Sequence, residues 1–326
     1  MGPHPAVAAV RLGVRRSLAT LPDRALVLAA CSGGPDSLAL ASALAFEAPR
    51  LGLRAGAVTV DHGLQPGSAA QAERTAAALT GLGLDPVRYM RVAVPARSAH
   101  YPGPEAAARS ARYAALDAAA SELGAAAILL GHTMDDQAET VLLGLARGSG
   151  ARSLAGMAPV SGRCLRPLLG LRREQTRAAC VAAGLEPWDD PHNADQAYTR
   201  VRVREQILPL MEQLLGPGVT GALARTADQL RADADALDEI AAWLVQTVQG
   251  EGLGAAWLAG MPQAIRARVL KIAAISAGSP GGALTAAHVA DLDALVTNWH
   301  GQRWVDLPGG LRCKRCDGRL RFTGRT

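Results

Sequence analysis

Lysine and aromatic side chains are nearly missing from this chain. Lys271 and Lys314 are its only lysines, and Phe, Trp and Tyr together make up 3% of 326 residues. A core without aromatics must be built from Ala, Leu and Val. Positive charge without lysine is almost all guanidinium, whose planar donors suit phosphate and stacking on bases; a GC-rich genome would produce the same usage. No apolar run approaches the roughly 18 residues of a membrane span. The first twenty residues, MGPHPAVAAVRLGVRRSLAT, interleave small apolar residues with arginine and lack the apolar stretch of a signal peptide. The expectation is a cytoplasmic protein. Apolar residues at 49% and charged residues at 19% exclude a disordered chain.

Cysteine is also scarce, five in number. Cys31, Cys164 and Cys180 stand singly in apolar stretches and read as buried thiols rather than disulfides. Cys313-Lys314-Arg315-Cys316 is a lone C-x-x-C. Zinc needs four ligands, and His288 and His300 lie at no recognised spacing from it. A hairpin with two incidental thiols is favoured, and metal binding there stays open.

The formal net charge is +5, but it is unevenly placed. Residues 301–326 hold seven basic groups against Asp306 and Asp317, and residues 147–177 hold seven arginines against Glu174. Residues 221–251 are acidic. Two basic patches suit a polyanion docked at defined places, although a solvated surface has the same composition.

At about 150 residues per domain the length suggests two domains and a small extra piece. Short apolar runs at 25–30, 55–60, 87–92 and 126–130 alternate with helical patterns at 36–47, 68–81, 104–123 and 134–146. A fifth strand near 163–166 and a helix near 172–183 would complete the set. This predicts βαβ units, hence an α/β fold with a parallel five-stranded, doubly wound sheet. From about 197 the pattern turns helical, over 197–215, 219–248, 255–276 and 285–297. The last stretch, GQRWVDLPGGLRCKRCDGRLRF, reads as two or three short strands. The expected domains are 1–215 (catalytic), 216–300 (helical) and 301–326 (a small basic β tail).

Ser32-Gly33-Gly34-Pro35-Asp36-Ser37 follows the first strand directly and opens a helix. Glycines let a ligand approach the backbone, and the N–H groups of a helix start favour anions. Ser32 and Ser37 add hydroxyl donors, and Pro35 fits a first helical turn. No Gly-Lys-Ser/Thr follows, so this is not a Walker A loop. With no lysine for the phosphates, Asp36 is a candidate Mg²⁺ ligand. An ordinary capped strand-to-helix turn also uses glycine and serine, but Ser-Gly-Gly-x-Asp-Ser in full, directly after a first strand, is a strong signal for nucleotide binding.

In full, the loop resembles the pyrophosphate loop of N-type ATP pyrophosphatases, which split ATP between its α- and β-phosphates. Further stretches resemble one branch, the tRNA(Ile)-lysidine synthetases. Val60-Asp61-His62-Gly63-Leu64 ends the second strand, where the resemblance places Asp61 and His62 near the adenosine. A turn histidine at a strand end is the lesser alternative for His62. Glu105, Arg109 and Arg112 share one side of a helix. Glu105 with Arg109 could be a surface pair worth about 0.3 kcal/mol, whereas the resemblance implies that Arg112 stabilises charge on the α-phosphate.

Gly131-His132-Thr-Met-Asp135-Asp136-Gln137-Ala-Glu139-Thr140 matches the branch's G-H-x-x-D-D-Q-x-E-T block. Helix capping would account for Asp135. Asp136 and Glu139 suit recognition of an ammonium group, with His132 near enough to join them. Arg147–Gly150, Gly156-Met157, Arg166–Leu169, Trp188–Asn193 and Tyr198–Arg204 continue the likeness. Two positions depart from it: Val201 stands where Asn is usual, and His192 where Ser is. Arg200 and Arg204 are candidates for ATP phosphates or tRNA backbone. The match spans roughly 25–215, and the remainder resembles a short form without a second C-terminal domain.

The resemblance implies an adenine nucleotide alpha hydrolase-like fold. It implies a ligase that joins free L-lysine to C2 of the wobble cytidine of a CAU-anticodon isoleucine tRNA. ATP, with Mg²⁺, would adenylate the cytidine O2 and release pyrophosphate; the lysine amine would then displace AMP. The catalytic set would be Asp36, Arg112, His132 and Asp136. The sequence leaves a homodimer open. Three alternatives compete: a tRNA-thiolating enzyme with the same loop, which normally carries cysteines near the catalytic domain; an amidating synthetase, for which no glutaminase domain is seen; and an RNA-binding protein with a decayed loop.

Overall fold

A computed structural model describes residues 2–61, 63, 67–92, 104–148, 150–188, 195–248 and 252–324, with backbone alone for 104–106. It divides into two compact units, Met1–Asp228 and Gln229–Thr326. Among the described residues no helix is long and apolar enough to cross a membrane.

The first unit runs α1 (Pro5–Leu18), β1 (Leu26–Ala30), α2 (Pro35–Glu47), β2 (Arg54–Asp61), α3 (Ser68–Gly81), β3 (Val87–Arg91), α4 (Pro104–Leu123), β4 (Ala127–Leu130) and α5 (Met134–Ala146). It continues through α6 (Ala151–Leu154), β5 (Val160–Ser161), β6 (Cys164–Leu165), α7 (Arg173–Ala182), α8 (Thr199–Arg202) and α9 (Leu208–Leu215). The sheet order is β3-β2-β1-β4-β6-β5. The first five strands pair in parallel, as the alternating pattern predicts, and two-residue β5 adds an antiparallel edge.

β1 reads LVLAA because both of its faces are covered. Val27 and Ala29 join a core with Val10 and Val14 of α1, Leu40 and Leu44 of α2, and Cys180 of α7. Leu26 and Leu28 face the other way, onto Leu116 and Ala120 of α4. Fully buried leucines such as Leu28, Leu40 and Leu44 stabilise the sheet by roughly 1.5–3 kcal/mol each. The chain runs from β1 outward to β2 and β3, then returns to place β4 on the opposite side of β1. At that reversal the loops leaving β1 and β4 diverge, which opens a crevice at the carboxyl ends of the strands.

The sequence pattern did not announce α1. Its buried positions, Ala6, Val10, Val14 and Leu18, lie four apart along one helical face, and the intervening arginines mask that spacing. The expected helix 197–215 is also interrupted. Between α8 and α9, Val203–Ile207 forms a π-helical turn in which the Leu208 N–H donates to the Val203 carbonyl. Pro209 has no N–H to continue a regular ladder from this point.

The second unit comprises the rest of α10 (Val219–Thr247), then β7 (Leu253–Gly254), α11 (Ala255–Ala259), α12 (Gln263–Ser276), α13 (Ala286–Thr297), β8 (Val305–Leu307), β9 (Leu311–Cys316) and β10 (Arg319–Gly324). The strands form an antiparallel sheet, ordered β7-β10-β9-β8. One core joins Leu258, Val269, Leu270, Leu292 and Leu295 of the helices to Cys313 and Leu320 of the sheet. Asp317 and Gly318, both at positive φ, turn the β9–β10 hairpin in the Asp-Gly manner. Cys313 and Cys316 are three apart on one strand and so point to opposite faces. Burial pushes the Cys313 thiol up to about 12. The pair is a hairpin feature, in keeping with the simpler reading of the C-x-x-C.

Candidate active site

The loop after β1 is held from within. The Ser37 hydroxyl donates to the Gly34 carbonyl (2.9 Å) and accepts the Ser32 N–H (3.2 Å), and the Ser32 hydroxyl lies 3.4 Å from it. Gly33 has φ +86°, and a Cβ there would come within 2.6 Å of Thr75 Oγ1. Its carbonyl accepts the Trp188 N–H at 2.9 Å. Gly34, extended at φ −73°, precedes Pro35 at the start of α2 and makes no side-chain cap. The N–H groups of that first turn therefore have no capping side chain at Gly34 to compete with a ligand. Gly131 is closely placed too, though less so: a Cβ would lie 3.3 Å from the Asp36 backbone, so the end of β4 packs against the start of α2.

These elements wall a cleft of about 720 Å³, within the ordinary range for ligand pockets. Ser32, Gly34, Pro35, Asp36 and Ser37 line one side, Asp61 and Arg112 another, and His132, Asp135, Asp136 and Arg204 a third. The fold thus collects around one opening most of the residues expected at the site. His62 and the stretch Asp189–Asn193 lie outside the described residues, as does the Glu105 side chain.

Asp36 accepts a short hydrogen bond from the Thr176 hydroxyl, and its other oxygen lies 3.5 Å from Arg173 Nε. Burial raises its pKa, with Asp136 adding to the effect and Thr176 and Arg173 opposing it. Asp61 is buried at the end of β2. It accepts the Gly63 N–H (2.8 Å) and the Tyr89 hydroxyl (3.1 Å). Burial would raise its pKa, but the Gly63, Ser68 and Tyr89 hydrogen bonds hold it below the usual carboxylate value. In this geometry the Asp61 carboxylate is tied to Gly63 and to Tyr89 of β3.

At the start of α5 the capping carboxylate is Asp136, not Asp135. Asp136 Oδ2 accepts the Thr133 N–H (2.7 Å) and hydroxyl (2.8 Å), while Asp135 accepts the Arg173 N–H (2.8 Å). The cap sits at the third helical position, where a carboxylate reaches back to the N-cap N–H. The free oxygen of Asp136 takes Arg173 Nη2 at 2.7 Å. Glu139, with no exposed side-chain surface, receives Arg204 through Nε at 2.7 Å and Nη2 at 3.2 Å, and Arg173 Nη1 at 3.4 Å. Arg204 is therefore turned toward carboxylates.

Arg173 was missed by sequence reasoning, which counted it only among basic residues. It begins α7 and touches Asp36, Asp136 and Glu139 together. Burial would lower its pKa, but those carboxylates raise it well above the ordinary value. The one available signal was an arginine at a helix start, an end where cations are disfavoured unless anions face them.

The other wall is positive. Burial lowers the Arg112 pKa, and the nearby charges of Arg109 and Arg200 lower it further. His132 lies between the two regions. Burial, with Arg112, Arg109 and Arg166, brings its pKa down to about 3 against the pull of Asp136, so its ring is neutral at ordinary pH. Its Nδ1 is buried and has no hydrogen-bond partner among the described residues. A neutral imidazole with an unused nitrogen beside clustered arginines is suited to hydrogen-bond an anionic or nucleobase ligand.

Two other motif residues prove structural. Gln137 clamps the backbone of Met157, donating to its carbonyl (3.1 Å) and accepting its N–H (2.7 Å), and Gly156 leaves no room there for a Cβ. Arg166 donates to the Ala158 carbonyl at 2.6 Å. Val201, where the branch usually has Asn, is buried in α8.

A magnesium ion on a nucleotide needs one or two protein carboxylates, since phosphates and water supply its other ligands. Asp36 fits this role: it opens the helix beside the loop, lines the cleft and keeps 22% of its side chain exposed.

Comparison with known proteins agrees with this geometry. A model of the PP-loop domain matches residues 11–211, and one of the TilS substrate binding domain matches residues 253–321. The tRNA(Ile)-lysidine synthase of Thermobifida fusca is 62% identical over 98% of both chains. That of Streptomyces coelicolor is 55% identical over 98% of this chain and 99% of the other. Among solved structures, a U34-tRNA thiolase from Methanococcus maripaludis superposes with a TM-score of 0.58 at 16% identity, covering 69% of this chain and 79% of that one. At that identity the likeness shows a shared fold.

Proposed function

The chain belongs to the tRNA(Ile)-lysidine synthase family, and on that footing we propose that it ligates L-lysine to the wobble cytidine of a CAU-anticodon isoleucine tRNA in the cytoplasm, at the expense of ATP. The observation that carries the reading is the meeting, at the β1–β4 reversal, of the Ser32–Ser37 loop, Arg112 and Asp136, with Glu139 buried behind and tied to Arg173 and Arg204.

The reaction needs three environments. Loop N–H groups and the Ser32 hydroxyl hold the β- and γ-phosphates, while Ser37 braces the loop from within. Mg²⁺, held by Asp36, would neutralise phosphate charge when bound. Arg112 faces the α-phosphate as it is attacked by the cytidine O2; the bond to the β-phosphate breaks and pyrophosphate leaves. Adenylation matters because a pyrimidine C2 is a poor electrophile until its oxygen can depart. The lysine ε-amine then adds to C2, the C2–O2 bond breaks, AMP leaves with that oxygen, and the amine loses a proton. Most of the acceleration is positioning and charge stabilisation.

His132, neutral in this setting, serves as a hydrogen-bond partner for the ligands rather than as a proton store. Asp136 recognises the amino acid, and Glu139, buried behind it, holds the arginines that border that subsite. The cytidine must leave the anticodon stack to reach the cleft. We assign the chemistry to residues 1–215, and the holding of the tRNA body to 216–300 with the basic stretch 301–326.

The test is to incubate the protein with ATP, labelled lysine and total tRNA, then digest the RNA. Label in a modified cytidine, with AMP and pyrophosphate released, supports the reading. Label absent from RNA, or transfer of labelled sulfur instead, overturns it.

A further inference from the structure

The carboxylates expected at the lysine subsite are already engaged. Asp136 spends one oxygen capping α5 and gives the other to Arg173 at 2.7 Å. Both oxygens of Glu139 are held by Arg204, with Arg173 3.4 Å away, and its side chain has no exposed surface. An incoming ammonium group must share Asp136 with a guanidinium or replace it.

Of the two arginines, Arg173 is the one placed to move. Arg204 is anchored by two hydrogen bonds to Glu139 and comes no closer than 3.7 Å to Asp136, where Arg173 stands at 2.7 Å. Arg173 spreads its three nitrogens over three carboxylates: Nη2 to Asp136, Nη1 to Glu139 and Nε to Asp36, the last two at 3.4 and 3.5 Å. Its side chain is one-quarter exposed and lines the cleft. Its Asp36 end lies beside the Ser32–Ser37 loop, where the same side chain could turn to face phosphate oxygens. Guanidinium and phosphate are a better matched pair, flat fork to tetrahedral anion, than three carboxylates at uneven distances.

We propose that Arg173 is an internal cation occupying the amine subsite, that a bound triphosphate draws it toward the Ser32–Ser37 loop, and that Asp136 is thereby released for the lysine ammonium. Arg173 is then a positioning residue that couples two substrates. The inference rests on the lysine reading above and adds an order to it: nucleotide favours amine, and amine favours nucleotide by the same factor. The coupling has a chemical use, because the nucleophile is recruited only where there is ATP to activate its target.

The experiment measures the equilibrium binding of labelled L-lysine to the full chain, with and without α,β-methylene-ATP and Mg²⁺. Lysine affinity should rise with the analogue by a factor in the usual range for coupled sites, about 5- to 150-fold. Inorganic pyrophosphate should give part of the effect, since the phosphates do the drawing. Arg173→Met should bind lysine with nearly equal affinity in both states. Arg173→Lys, a point charge without the fork, should keep a reduced coupling. Equal lysine affinity in both states of the unmodified protein would overturn the inference and leave the lysine reading intact. So would full coupling in a folded R173M or in R173K. No lysine binding under any condition would remove the reading itself, and the inference with it. The unmodified protein and R173K keep the test decisive if R173M does not fold.

Discussion

Glu139 on α5 and Arg204 in the π-helical turn are joined by two parallel hydrogen bonds, 2.7 and 3.2 Å long, with the carboxylate wholly buried. Such a pair need not stabilise the fold relative to apolar residues, but removing one member leaves a buried charge uncompensated. Glu139→Gln and Arg204→Met should each lower unfolding free energy by about 3 kcal/mol. The double variant should cost less than the two together. Urea denaturation of the four proteins checks this, and strict additivity would show that the pair is not coupled.

That pair also marks how far the sequence could be read. The parallel strands were legible because buried strands are unbroken apolar runs, and the Ser32–Ser37 loop because glycine, proline and aspartate at a helix start have few other uses. The π turn was not, since it follows from where Pro209 falls relative to residues upstream. Arg173 was not, since Asp36, Asp136 and Glu139 meet it only after the chain folds. The cap was misread by one position: Asp135 and Asp136 are adjacent, and only the angle of the helix entry decides which carboxylate reaches Thr133.

Asp36→Asn keeps the size of the side chain and removes its charge. It should abolish pyrophosphate release while sparing tRNA affinity, because Asp36 faces the phosphate loop and Thr176 rather than a nucleic-acid surface. Pyrophosphate release and filter binding of tRNA check the two halves. Normal release would take Asp36 out of the chemistry.

Gly33→Ala places a Cβ in the left-handed region and 2.6 Å from Thr75 Oγ1. The backbone term alone is about 1–2 kcal/mol. The variant should melt earlier and bind ATP more weakly. Adding Thr75→Ala should relieve the clash but not the backbone strain, so only part of the loss returns. Complete recovery would place all of the cost in the contact.

His132 gives stability a pH dependence of predictable sign. Its pKa is near 3 when folded and about 6.5 when unfolded, so between these values only the unfolded chain takes up the proton. The stability linked to His132 is fully present above about pH 6.5 and is lost as pH falls toward 3. The slope approaches about 1.4 kcal/mol per pH unit. Urea midpoints from pH 7.5 to 4.5 should therefore fall more steeply for the unmodified protein than for His132→Gln. Parallel curves would mean that the imidazole titrates normally.

The basic stretch 301–326 leads to a prediction about salt. Lys314 is exposed on β9, and Arg303 is exposed with its guanidinium 4.6 Å from the centre of the Trp304 ring. If such groups neutralise RNA phosphates, binding releases counterions, and affinity falls steeply with ionic strength. With six or more contacts the loss between 50 and 200 mM salt is about a thousandfold. Arg303→Gln and Lys314→Gln should each weaken tRNA binding and reduce the slope of log affinity against log salt by about one. Neither should alter pyrophosphate release at saturating tRNA. Electrophoretic mobility shifts across a salt series measure the slope. A flat profile, or equal slopes for the variants, would remove this surface from tRNA docking.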